Sequence, residues 1–94
     1  MKLVYRKGAL KAIDKVAAFV ESKNTVGSGS RWAEKIVMKI ESLASSKAKF
    51  AVCKHASLAK YQYRCYAYND WVIAFLIADK KFEVCRIVWG ALLH

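Results

Sequence analysis

The sequence predicts an α+β domain in the order β-α-α-β-β-β, with a two-helix hairpin packed on an antiparallel sheet. Three observations predict it. In the first half, apolar residues recur at the three- and four-residue spacings of amphipathic helices. In the second half, aromatic and β-branched residues crowd into short runs, as strands require. Two turn signals, Asn69-Asp70 and Asp79-Lys80-Lys81, divide those runs. With 94 residues, the chain suffices for one compact domain, 1–94, and not for two.

Residues 2–6, "KLVYR", are extended in character. From Lys7, the apolar positions Leu10, Ile13, Val16, Ala17 and Val20 mark a first helix that ends near Lys23-Asn24. There "NTVGSGS" reads as a glycine- and serine-rich breaker, and its "GSGS" as a linker. Ser30 is placed to cap a second helix, with Glu34 opposing the dipole in its first turn. Trp32, Ile36, Ile40 and Leu43 form its apolar stripe, and it frays at Ser45-Ser46. The expected strands are "YQYRCYAY" (61–68), "WVIAFLIA" (71–78) and "FEVCRIVW" (82–89). The middle one is apolar throughout, as a central strand covered on both faces would be. Residues 47–60 read either as a further strand, around "KFAVCK", or as a packed loop.

Composition narrows the function. An apolar share of 56% argues against disorder. "MKLVYRKGALK" has no continuous apolar stretch of signal-peptide length. The longest apolar run, 71–78, falls far short of the roughly 20 residues of a membrane span. A soluble cytoplasmic protein is therefore expected. Cys53, Cys65 and Cys85 are odd in number and lack a C-x-x-C spacing, which fits neither a disulfide framework nor a zinc site. Cys65 and Cys85 lie in apolar alternating segments and read as small core hydrophobes. No metal triad, glycine-rich phosphate loop or Ser-His-Asp constellation is present, and no cofactor is expected. His55 reads as an incidental loop histidine and His94 as a frayed terminal one.

Charge is the stronger signal. The formal net charge of +10 points to a polyanionic or acidic partner. No acidic residue lies between Glu41 and Asp70, a stretch that holds Lys47, Lys49, Lys54, His55, Lys60 and Arg64. Such a run is either a nucleic-acid contact or a solvated lysine face. Strand parity then bears on the arginines. A two-residue turn at Asn69-Asp70 sets Tyr68 opposite Trp71, Tyr66 opposite Ile73 and Arg64 opposite Phe75. A two-residue turn at Asp79-Lys80 sets Phe75 opposite Val84 and Ile73 opposite Arg86. Arg64, Tyr66, Ile73, Phe75, Val84, Arg86 and Val88 then share one face, and Tyr63, Cys65, Val72, Ala74, Leu76, Cys85, Ile87 and Trp89 the other. Paired guanidiniums beside an aromatic ring would grip a phosphate bidentately while Tyr66 stacks on a base. The alternative is that each arginine reaches a sheet edge or pairs with a carboxylate such as Glu83.

The order of elements and the terminal motifs resemble the RelE/ParE superfamily of type II toxin–antitoxin toxins, also called plasmid stabilisation proteins. The resemblance spans nearly the whole chain: "ALKAIDKVAAFVES" and "WAEKIVMKIESLA" as helices, "YRCYAYNDWVIAFLI" as the central hairpin, and "FEVCRIVWGALL" as the last strand. It implies a basic concave sheet face with helices behind it, and inhibition of translation by ribosome-dependent mRNA cleavage. In that reading, Arg64 and Arg86 match arginines that hold the scissile phosphate. Lys47, Lys49, Lys54, Lys60, Tyr66 and Trp89 are the accompanying nucleic-acid contacts. The implied partners are an acidic antitoxin and the ribosome with its message, or DNA gyrase in the non-cleaving branch; a diverged nucleic-acid-binding module without toxicity is the remaining alternative. The family's ending commonly reads Arg, two apolar residues, His, Gly, Ala; here it stands as Arg86-Ile87-Val88-Trp89-Gly90-Ala91. Trp89 thus replaces a proton-transfer group, and arginine is a poor donor at neutral pH. Lys54, His55 or Tyr66, or the ribosome itself, would have to move the proton.

Overall fold

A computed structural model describes residues 2–46, 52–53 and 56–89. Their elements are β1 (Lys2–Tyr5), α1 (Lys7–Lys23), α2 (Ser28–Ser45), the one-turn α3 (Ala56–Ala59), β2 (Arg64–Tyr68), β3 (Trp71–Ala78) and β4 (Lys81–Trp89). The α+β order holds, with α3 added. The four strands form one sheet in the order β1-β4-β3-β2. Both hairpins of the meander are antiparallel, and each is closed by two residues. Asn69, Asp79 and Lys80 take positive φ (53°, 52° and 61°), the left-handed backbone that matches strand twist in tight hairpins. The sheet is nevertheless mixed, because β1 runs parallel to β4. The helical pair carries the chain over the sheet to its far edge, and the meander works back until β4 lies beside β1.

Helices α1 and α2 cover one face. Ala9, Ile13, Ile36, Ile40, Leu43 and Ala44 interlock there with Ile73, Phe75, Phe82, Val84 and Ile87. Phe75 and Phe82 stack at 4.4 Å between centroids, and Trp32 meets Trp71 edge-on at 5.6 Å. On α1, the apolar stripe is rotated from the expected one: Ala9 is buried, while Leu10 is 49% exposed. β3 is sealed only at Ile73, Ala74 and Phe75, since Ile77 and Ala78 reach solvent at the hairpin end.

The start of α2 also departs from expectation. Ser28-Gly29-Ser30 is not a linker but the first turn of the helix, and Ser30 does not cap it. The cap comes from α1: the Glu21 carboxylate accepts the backbone N–H of Gly27 at 2.6 Å and of Gly29 at 2.8 Å. Those are two of the donors that every helix start leaves without an internal partner.

A second, smaller core lies on the opposite face of the sheet. It comprises Cys53, Leu58, Tyr63, Ala74 and Cys85, with Cys65, Val72 and Leu76 against it. Cys53 and Cys65 are joined by a disulfide, Cα–Cα 4.9 Å, which corrects the reading of all three cysteines as free. Cys85 is free and buried. The pairing was illegible because Cys53 reaches β2 through a local contact: Val52 bridges Arg64, and the Cys53 N–H donates to the Tyr63 carbonyl.

Candidate functional site

The sheet has one face covered by α1 and α2 and an opposite face that Cys53, Leu58 and Tyr63 cover in part. This second face, called the open face below, bears no long helix among the described residues, and strand register decides which residues stand on each. Between Ala74/Phe75 and their partners the β3–β4 ladder shifts by one residue. Phe75 pairs with Val84 as expected, but Ala74 pairs with Arg86 and Ile73 with Ile87. Cys85 is the extra residue, in the manner of a β-bulge. Every β4 residue after it therefore changes face relative to a regular ladder. Ile87 joins the helix-side core, while Arg86 joins Ala74 on the open face.

The expected convergence of Arg64 and Arg86 is thereby corrected. Arg64 pairs with Phe75, whose side chain faces the helices. Arg86 pairs with the neighbouring residue, Ala74, and so lies on the other side. The turn lengths were as expected; the bulge, which no turn residue signals, broke the parity.

Tyr66 and Trp89 are likewise displaced from Arg86. Tyr66 packs on the helix-side core, with Lys39 of α2 placed 5.0 Å from its ring centroid. Trp89 pairs with Trp71 on that same side, and is 49% exposed. Lys60 is exposed in the turn after α3, its Nζ 5.0 Å from the Tyr61 ring. Lys47, Lys49 and Lys54, with His55 and His94, lie outside the described residues. Of the five described residues among those singled out from sequence, Arg86 and Lys60 stand on the open face, Arg86 within β4.

Beside Arg86 stands a group that sequence reading missed. Arg6 follows β1, whose last residue, Tyr5, pairs with Val84. Its guanidinium binds both oxygens of Glu83, Nε to Oε2 at 3.2 Å and Nη2 to Oε1 at 3.3 Å. Nη1 donates to the Tyr63 hydroxyl at 3.1 Å. The Glu83 hydrogen bond raises the Arg6 pKa further, so the cation persists at any physiological pH. Burial pushes the neighbouring Cys85 thiol up, keeping it protonated and unreactive. Beyond Tyr63, the Tyr61 ring stacks at 5.2 Å and 25°.

The open face therefore carries one continuous polar run, Glu83–Arg6–Tyr63–Tyr61–Lys60, with Arg86 one row away. Same-face rows in a sheet repeat about every 6.8 Å. Lys2 and Lys81, paired in register and exposed, extend the positive charge along the same face. Nothing in the sequence joins Arg6 to partners 57 and 77 residues away. The available signal was the alternation in "KLVYR", which sets Arg6 and Val4 on one side of β1. No protein-family model matches the chain, and no curated protein is significantly similar to it.

Proposed function

We propose that the chain is a toxin of the RelE/ParE kind that acts on the translating ribosome and its message, taking RNA on the open sheet face. The observation that carries this reading is Arg86: an exposed guanidinium on the face opposite the helices, beside Arg6 and the Lys2–Lys81 pair. Such a face attracts phosphates electrostatically, and a guanidinium donates to two phosphate oxygens at once. The element order β-α-α-β-β-β, interrupted only by the one-turn α3 among the described residues, and the net charge of +10 support it.

Cleavage through the RNA 2′-hydroxyl would form the O2′–P bond and break the P–O5′ bond, leaving a 2′,3′-cyclic phosphate. The 2′-hydroxyl proton would be lost to, and the 5′-oxygen protonated from, water or a group of the ribosome. Arg86 would neutralise the charge that builds on the non-bridging oxygens. Tyr66 takes no part in proton transfer in this scheme, because it belongs to the other face. An acidic antitoxin is the partner that the charge calls for, and it would mask the face by complementarity. A cytoplasmic setting belongs to the same proposal. In that reducing compartment Cys53 and Cys65 would be held largely as thiols.

Cell-free translation tests this reading. The wild type should arrest synthesis and cut ribosome-bound message. Arg86→Ala should lower the cleavage rate roughly 10²–10³-fold, the usual loss for one transition-state donor. Arg64→Ala, on the other side of the sheet, should retain most of the activity. Arrested gyrase supercoiling with untouched translation would sink the ribosomal reading in favour of the non-cleaving branch.

A further inference from the structure

We propose that Tyr61 is a stacking platform for one unpaired base, so that the RNA taken by the open face is single-stranded; this rests on the RNA-binding reading above. Tyr61 is 52% exposed, in the turn between α3 and β2. One side of its ring is backed by Tyr63, at 5.2 Å and 25° between planes. Tyr63 is only 6% exposed and is fixed by the Arg6 hydrogen bond, with the guanidinium carbon 5.8 Å from its ring centroid. Glu83 in turn holds Arg6. The platform is thus an exposed ring on a rigid support, not a free side chain on a loop.

The charges around it have the right sign and place. Lys60 lies over the Tyr61 ring as an exposed, flexible cation. A base arriving on the ring displaces that ammonium, which is then free to meet the adjacent phosphate. Arg86 lies on the same face, one row from the Arg6–Glu83 pair, and can meet the next one. Aromatic rings interleaved with cations are what single-strand binding uses, because every base offers a π-face and every nucleotide a charge. A duplex cannot present its bases this way, since they are already stacked and paired. The aromatic groups expected from sequence, Tyr66 and Trp89, are on the helix side and cannot serve this face.

The test is a fluorescence titration of a short single-stranded RNA carrying 2-aminopurine, and of its duplex, against four proteins: wild type, Tyr61→Phe, Tyr61→Leu and Tyr61→Ala. Wild type and Tyr61→Phe should bind the single strand equally, quench the fluorophore, and bind the duplex more weakly. Tyr61→Ala and Tyr61→Leu should both bind the single strand roughly 5- to 100-fold more weakly, without quenching, as expected for one lost base stack. Leucine still covers Tyr63 but has no π-face. Recovery of binding by Tyr61→Leu would therefore overturn the proposal, as would wild-type binding by Tyr61→Ala. Equal weakening toward single strand and duplex would also overturn it. If the wild type binds neither RNA, the platform falls, while the ribosomal reading stands or falls by the cell-free translation assay.

Discussion

Glu21 sits in the last turns of α1, yet its carboxylate serves as the cap of α2, accepting from Gly27 and Gly29. A negative charge at a helix start also meets the positive end of the macrodipole. These hydrogen bonds, Gly27 first, lower the Glu21 pKa from its ordinary 4.5, with Arg31 nearby helping. A carboxylate whose folded pKa is depressed contributes stability that is present above its unfolded pKa. That contribution is lost as pH falls through the folded value. Glu21→Gln keeps an acceptor but no charge. It should melt below the wild type near neutral pH, and the two curves should converge as pH falls through the depressed Glu21 pKa. Thermal melts at a series of pH values check this. Parallel curves would mean that the charge contributes nothing to the cap.

At the scale of elements, the α1–α2 crossing turns on Gly29. In an open helix position, alanine is more stable than glycine by about 0.5–1 kcal/mol. Gly8 of α1 is such a position, with nothing within 4 Å of an added Cβ. A Cβ on Gly29 would instead run into the Ala17 carbonyl oxygen, with the Ala17 carbonyl carbon at 3.0 Å and the Glu21 Cβ at 3.1 Å. Backbone atoms cannot move aside as a side-chain tip can, so α2 would have to lift off α1. Gly29→Ala is expected to destabilise by about 3 kcal/mol, the upper range for overpacking, and Gly8→Ala to stabilise slightly. Denaturant melts of both variants decide it; a stable Gly29→Ala protein would mean that the crossing is not tight. The sequence signal at Gly29 misled for this reason: "GSGS" has the composition of a linker, but here glycine permits close approach. The bulge at Cys85 was hidden in a similar way. Apolar alternation in 82–89 was legible, and so was the pairing of Arg64 with Phe75. A bulge leaves no mark in a run whose two faces are both apolar, and Arg86 changed sides unseen.

At the scale of the whole molecule, the fold class was legible because it depends on periodicity and turn chemistry, which are local. The partners of β1 and the cluster around Arg6 depend on contacts across most of the chain, which periodicity cannot carry. The Cys53–Cys65 bond belongs to this second group, and it bears on whether the whole domain stays folded. A domain of 94 residues has a thin margin, on the order of 5–15 kcal/mol. Linking residues 12 apart in sequence restricts the unfolded chain enough to contribute about 3 kcal/mol. The bond also anchors Cys53 over the open face, where the small core of Leu58, Tyr63 and Cys85 supports the Arg6 cluster. A dithiol reductant should therefore lower the melting temperature by roughly 12–24 °C, at 4–8 °C per kcal/mol for a domain of this size. Cys53→Ser without reductant should show the same drop, because one partner suffices to remove the bond. Cys85→Ser should keep the response to reductant, since its buried thiol is outside the disulfide. Thiol titration of the denatured protein gives an independent reading: one thiol before reduction and three after, from the three cysteines present. Three thiols at the start, with a melting temperature indifferent to reductant, would show that the pair stands reduced and that packing alone holds the segment to β2.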